Sequence, residues 1–470
     1  MIGRGLLLSG GNLGGALLSL GRNVLIARFI APEEFGIAST FAITLALIET
    51  LSNIAVNQMI VQAPDGDSPK VQASLHGVQL ARGLLGALLL FAFAYPYAAL
   101  VSVPEAAWAY QVMAAVPLLR GLWHLDLYRQ QRSQQFRAFV VATVVSQALA
   151  LAAVWPLLQI GQDYSVMLWA ILLQQLAFAA LSHWTAERPF RIGWDRAVIG
   201  RAIGFGLPLL GNGLLLFAIF HGDRVVIAEQ LGMATLGWFS AAVMLTLMPS
   251  MVISNTLQSF FLPLVSRSQD EPQDFASAAA VVQQASVLAG AVLAVGVALV
   301  GPLAILLLFG ADYAPALSVV VWLAIMQGVR VAKVGPTVVA IAKAKTGNPL
   351  VANIARALVL PPTYLAVVWG ADVVAIAAFA LLGEVLAFAV STALLRRRVK
   401  VSLRPLALPV LWTALLMALV ALDSYLQPAG TNPLANLHLS QIGLLVGLAL
   451  LPLTMPDLRR WAGARLKGAL

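Results

Sequence analysis

Arginine and lysine stand where an apolar chain should not hold them. Arg22, Arg28, Arg82, Arg224, Arg330, Lys333 and Arg356 fall inside long hydrophobic runs, and Arg120 sits near the end of another. The acids in such runs are fewer: Glu49, Asp223, Glu229 and Glu384. Guanidinium groups stay protonated at any working pH and grip phosphate oxygens with paired hydrogen bonds. An interior lined mainly by arginine therefore suits a polyanion. Arg330 and Lys333 are three residues apart and share one helix face. Glu49, Asn53 and Asn57 recur every four residues and share another. That second face suits sugar hydroxyls or a coupling cation, or equally an interhelical hydrogen-bond seam. Asp223, beside Arg224, belongs either to a site or to a neutralising pair. Arg28, Arg120 and Glu229 lie near the ends of their runs, where a long side chain can reach the interface.

Other chemistry is sparsely represented. There is no cysteine, which excludes disulfides, zinc–thiolate sites and thiol nucleophiles. His76, His124, His183, His221 and His438 are scattered, without metal-ligand spacing. No Gly-x-x-x-x-Gly-Lys-Ser/Thr phosphate loop occurs. Neither a catalytic set nor a metal site is expected.

The elements that must carry these groups follow from composition. The chain has 470 residues, 60% hydrophobic and only 10% charged. An average soluble domain is about a quarter charged. So few ionisable groups cannot cover a water-facing surface, so the chain reads as an all-α integral membrane protein. The net charge of +9 then reflects basic residues kept in cytoplasmic loops rather than nucleic-acid binding.

A span needs about 20 apolar residues. Candidate spans fall near 5–27, 37–62, 73–100, 106–124, 138–158, 165–184, 203–229, 235–262, 277–307, 314–338, 350–369, 371–395, 407–426 and 439–455, about fourteen helices. The first is read as a retained helix rather than a cleaved signal. With the N-terminus inside, alternate loops collect Lys70, Arg129, Arg132, Arg137, Arg188, Arg267, Lys343 and Arg396–Arg398, and the tail adds Arg459, Arg460 and Arg465. The outer connections near 101–105, 159–164, 310–313, 370–372 and 427–438 hold no lysine or arginine. That sorting is the positive-inside pattern and predicts both termini in the cytoplasm. The basic inner stretches set topology and touch anionic lipids, with recruitment of polymerase or glycosyltransferase partners as the other use.

A shift of 201 residues aligns 2–39 with 203–240 without a gap. Glycine registers at Gly3/Gly204, Gly5/Gly206, Gly10/Gly211, Gly21/Gly222 and Gly36/Gly237. Glycine marks close backbone approach, so these matches outweigh the apolar ones. The first and seventh helices then run the same way. This gives a six-helix lobe over 1–200, a parallel second lobe over 201–396, and an extra helix pair with a basic cytoplasmic tail over 397–470. Parallel repeats place a substrate site between the halves.

The stretch Arg28-Phe-Ile-Ala-Pro-Glu-Glu-Phe-Gly36 resembles the opening signature of bacterial oligosaccharide flippases. So does Asp223-Arg224 followed by Leu231-Gly232 and Leu236-Gly237-Trp238-Phe239, with Trp238-Phe239 a mild departure from the usual aromatic pattern. These polysaccharide transporters share a superfamily with multidrug antiporters and the peptidoglycan lipid flippases. The resemblance implies an oligosaccharide on a polyprenyl pyrophosphate, moved from the inner to the outer leaflet of the inner membrane. It implies no bound cofactor and drive from a proton or sodium gradient. The expected pyrophosphate set is Arg22, Arg28, Arg82, Arg224, Arg330, Lys333 and Arg356; the expected sugar or coupling-ion set is Glu49, Asn53, Asn57, Asp223 and Glu384. Alternating access would carry the substrate, with Pro208, Pro302, Pro336 and Pro361–Pro362 as hinges or static kinks. The competing function is a cation-coupled multidrug antiporter, whose cavity should be acidic or aromatic. A membrane glycosyltransferase or polymerase would need larger outer loops or a carboxylate–metal cluster.

Overall fold

The computed structural model describes residues 2–52, 56–426 and 439–468. Helices account for nearly all of them. Contacts divide the chain into two units, Met1–Gly237 and Trp238–Leu470. The division falls beyond the expected lobe boundary at 200, because the helix that follows residue 195 packs with the first unit.

In the first unit, α1 (Ile2–Phe29), α2 (Pro32–Ser52) and α3 (Val56–Gln62) lead into the long α4 (Pro69–Leu100). Two short helices follow, α5 (Ala107–Met113) and α6 (Ala115–Gly121), then α7 (Asp126–Arg132) on the loop side. Next come α8 (Arg137–Ile160), α9 (Ser165–Trp184) and α10 (Arg196–Gln230). Asp195 caps α10, its carboxylate accepting the Ala197 and Val198 N–H groups at 2.9 and 3.1 Å. Gly232, at φ +84°, makes the left-handed turn between α10 and α11 (Met233–Arg267).

The second unit continues with α12 (Pro272–Leu308), α13 (Leu317–Ala332), α14 (Val334–Ala342), α15 (Gly347–Ala357) and α16 (Leu360–Val368). It closes with α17 (Val373–Leu394), α18 (Arg404–Leu426), α19 (Leu439–Leu450) and α20 (Pro456–Gly468). Its core joins Phe261, Val265, Phe275, Val282, Val338 and Leu395. Leu88, Phe91 and Phe93 of α4 are more than half exposed, as lipid-facing side chains should be.

The protein is a multi-pass, all-helical membrane protein, but the expected count of fourteen spans is not reached. Among the described residues eleven helices are long and apolar enough to cross, or twelve if the pair Gln441–Thr454 and Pro456–Arg465, bent by 80°, is one span. Two expected spans fall outside that count for separate reasons. Arg22, Asn23 and a run of glycines dilute the apolarity of α1, and the stretch over 106–124 is broken at Ala114 into two seven-residue helices. Two other spans break beside proline. α13 and α14 part at Lys333, just before Pro336, and α15 and α16 part at Leu358–Val359, just before Pro361–Pro362. Proline at the start of a helix sacrifices no intrahelical bond. Pro302 lies inside α12, and Pro208 falls within α10.

Two of the register glycines make close backbone contacts. A Cβ on Gly36 would collide with the Met233 carbonyl, and a Cβ on Gly237 with the Pro32 carbonyl. Pro32 and Met233 are themselves repeat equivalents, offset by the same 201 residues. The repeat glycines Gly10 and Gly211, by contrast, have nothing within 4 Å of an added Cβ. Gly36→Ala and Gly237→Ala should each cost about 1–3 kcal/mol, the usual range for overpacking. Gly10→Ala and Gly211→Ala should cost nothing measurable. Thermal unfolding followed by tryptophan fluorescence in detergent checks the contrast.

Candidate functional site

Four of the charged residues singled out in the sequence meet in the second unit. Glu384, fully buried on α17, accepts from Arg330 Nε at 2.6 Å, Arg356 Nη1 at 2.9 Å and Lys333 Nζ at 3.0 Å. Arg330 comes from the last turn of α13, Lys333 from the α13–α14 break, and Arg356 from the last turn of α15. Oε1 serves the two guanidinium groups and Oε2 the ammonium. Each cation is nearly buried, with side-chain exposure of 8–12%. Three positive charges thus surround one negative charge. Glu384, from the expected sugar or coupling-ion set, is the counter-ion shared by three members of the expected pyrophosphate set. The sequence could not show this because Glu384 lies 51–54 residues from the α13 partners.

The remaining candidates in the first unit disperse. Arg22, buried on α1, donates Nη1 to Gln174 Oε1 at 2.5 Å, with Nε and Nη2 each 3.2 Å from Asn23 Oδ1. Arg224, its near-equivalent, donates to the Phe220 carbonyl of its own helix at 3.1 Å. Asp223 is half-buried beside it, and Arg28 is exposed at the end of α1. Glu49 pairs with Arg120, which also donates Nε to Gln175 Oε1 at 3.1 Å. Arg120 therefore does not snorkel to the interface, contrary to its position near a run end. Arg82 shares a small void with Glu49, Ser52 and Arg120. Asn53 lies outside the described residues, and the proposed shared face divides between Glu49 on α2 and Asn57 on α3. Gln174 and Gln175, which hold two arginines, were overlooked. Their signal was a pair of amides in an otherwise apolar helix.

The loop side of the first unit is an ordered polar network. Asp126 is fully buried and accepts from Arg129 Nε at 2.5 Å, the Glu187 N–H at 2.8 Å and Gln130 Nε2 at 3.2 Å. Arg129 also pairs with Glu187, Arg188 with Asp67, Arg201 with Asp65, and Lys70 with Asp195. Arg132 donates to the Val61 and Pro64 carbonyls. Three of the histidines that look scattered assemble here: His76 lies 4.9 Å from His124, and His124 5.2 Å from His183, ring to ring, with Phe190 against all three. His76 Nε2 accepts the Leu125 N–H at 3.0 Å, so its Nδ1 carries the proton facing the Arg191 carbonyl at 3.1 Å. His221 stacks on Phe217, and His438 lies outside the described residues. Among the described residues no group of three or more His, Cys, Asp or Glu could hold a metal ion.

A family model described as polysaccharide biosynthesis protein matches residues 25–318. The chain belongs to this family. The succinoglycan biosynthesis transport protein ExoT of Rhizobium meliloti (strain 1021) is 26% identical over 320 residues, covering 65% of this chain. The match spans 62% of that relative's own length, less than two thirds. The lipid II flippase MurJ, in an inward closed conformation, shares the fold of this polysaccharide biosynthesis protein with a TM-score of 0.70. Identity is 12%, over 98% of this chain and 99% of that one. An inward-facing multidrug resistance MATE transporter of the MOP superfamily gives 0.67 at 13% identity, over 82% and 94%. Identities this low make these likenesses of fold alone.

Two outcomes follow for this family member. Glu384→Ala leaves three buried cations without their carboxylate and should cost about 3–5 kcal/mol. The shift should appear as a large fall in detergent Tm, much reduced when Glu384→Ala is combined with Arg330→Met and Lys333→Met. The second outcome concerns Asp126. Burial alone would raise its carboxyl pKa, but hydrogen bonds from Arg129, the Glu187 N–H and Gln130 outweigh burial and hold it well below the usual carboxylate range. A depressed pKa contributes stability that is present above the ordinary value, about 3.9, and is lost as pH falls through the folded value. Asp126→Asn should therefore lower Tm at pH 7 and flatten its dependence on pH below about 4.

Proposed function

We propose that this protein flips a polyprenyl-pyrophosphate-linked oligosaccharide from the cytoplasmic to the outer leaflet of the inner membrane, by alternating access, for surface polysaccharide synthesis. The single observation that carries the reading is the charge sum around Glu384. Arg330, Lys333 and Arg356 exceed the one carboxylate they share by two positive charges. Charge excess within a membrane protein marks a substrate pathway or a binding site. A pyrophosphate diester carries one negative charge on each phosphoryl group, so its charge matches the excess. Guanidinium forks on Arg330 and Arg356 suit its oxygens, and Lys333 adds a compact point charge. Membership of the polysaccharide biosynthesis family and similarity to a succinoglycan transport protein support the substrate class. The fold shared with a lipid II flippase supports the vectorial step.

Orientation belongs to the same proposal. Basic loops on one side and basic-free connections on the other support a reading with both termini in the cytoplasm. Drive comes from a proton or sodium gradient, with Glu49, paired with Arg120, and Asp223 as the coupling carboxylates of the first unit. A cation-coupled drug antiporter fits less well, since a positive cluster repels cationic drugs.

The test is a leaflet-resolved flipping assay in proteoliposomes carrying a pyrophosphate-linked glycan. Arg330→Gln and Arg356→Gln should each reduce flipping at least tenfold, as loss of one charge-assisted contact predicts. Folding of each variant is checked by Tm. Full flipping by both folded variants would overturn the proposal.

A further inference from the structure

A second feature of the first unit concerns the lipid rather than its sugar. A groove of about 460 Å³ runs between α2, α4 and α10. That volume lies within the range of ligand clefts, about 300–1,000 Å³. Val78, Ala81, Arg82 and Leu85 form one wall, and Ile199, Ile203, Gly206 and Leu210 the other. Both sets repeat at three or four residues, so each is a single helix face. Leu51 closes one side, and Trp194 stands at the loop end. The walls are apolar except for Ser52 and the guanidinium of Arg82. Among the described residues Arg82 has no hydrogen-bond or ion-pair partner. Glu49, the nearest acid in the neighbouring void, is held by Arg120.

Depth decides what fits. Arg82 follows Pro69, the start of α4, by thirteen residues, about 20 Å along the axis at 1.5 Å per residue. Hydrocarbon is about 30 Å thick. Phospholipid headgroups stay at the interface, so a phosphate that meets Arg82 belongs to a lipid drawn inward. We infer that this groove holds the isoprenoid chain of the carrier lipid, with a phosphoryl group at Arg82. Trp194, 63% exposed, marks the end nearest the headgroup layer, where indole side chains concentrate. Gly206 lines the opposite wall without a side chain. The inference rests on the proposed flippase reading for its choice of lipid, and names a loading position that the tail and phosphate occupy before the pyrophosphate is held by Arg330, Lys333 and Arg356.

The test uses the full chain in nanodiscs and a polyprenyl pyrophosphate with a diazirine in its isoprenoid tail. Crosslinks should map to 78–85 and 199–210. Arg82→Gln should reduce labelling about tenfold, the worth of one charge-assisted contact, and Arg82→Lys should restore part of it. Gly206→Leu should abolish labelling in 199–210 while the protein keeps its Tm. Unlabelled polyprenyl phosphate should compete; polyprenol should compete weakly and phosphatidylglycerol not at all. Equal competition by phosphatidylglycerol would make the groove an annular phospholipid site and overturn the inference. So would labelling unaffected by Arg82→Gln and Gly206→Leu. Flipping by wild type with labelling elsewhere defeats the groove alone. Labelling in the groove without flipping by wild type defeats the transport reading alone.

Discussion

The cost of holding charge in hydrocarbon governs this molecule. Each ionised side chain at the centre of a span costs roughly 2.5–3.5 kcal/mol on insertion scales, and more when left without a partner. The chain meets that cost in three ways. It exports most of its basic residues to the loops. It pairs interior ones, as Arg120 with Glu49 and Gln175. It gathers Arg330, Lys333 and Arg356 around Glu384, where one carboxylate binds three cations. Among the described residues this last arrangement joins three cations to one carboxylate.

Helix geometry follows from the need to bring those groups together. A straight α13 would continue past Lys333 without offering a break, and a straight α15 would not end its last turn at Arg356. The proline positions set both breaks: Pro336 and Pro361–Pro362 stand just inside new helices, where their missing N–H groups cost little. The loop side of the first unit works differently. There, arginines of the loops are drawn into an ordered frame by Asp65, Asp67, Asp126 and Glu187, which holds those loops in shape.

Close backbone approach is the other recurrent device. Gly36 and Gly237 meet the carbonyls of Met233 and Pro32 in a reciprocal contact between repeat equivalents. Lipid tails are as apolar as leucine, so helices in a bilayer gain from small residues that let backbones touch. The same logic explains why glycine, rather than leucine or alanine, carries the 201-residue register. An apolar position tolerates any apolar side chain, whereas a backbone contact tolerates none.

What the sequence determined by itself is whatever depends on local composition and periodicity. The shortage of charge determined a membrane protein, the sorting of Lys and Arg pointed to an orientation, and glycine register pointed to a repeat. It also marked Arg330, Lys333, Arg356 and Glu384, because any ionisable group in an apolar run stands out. Tertiary structure alone decided which of these meet. Glu384 lies on a different helix from all three of its partners, and no spacing rule links them. Likewise His76, His124 and His183 look scattered in the chain yet meet edge to face in space, and Arg120 finds Glu49 instead of the interface. Counting spans was limited by the same physics: Ala114, Lys333 and Leu358 interrupt helices that hydropathy reads as continuous, because hydropathy averages side chains and a break lies in the backbone.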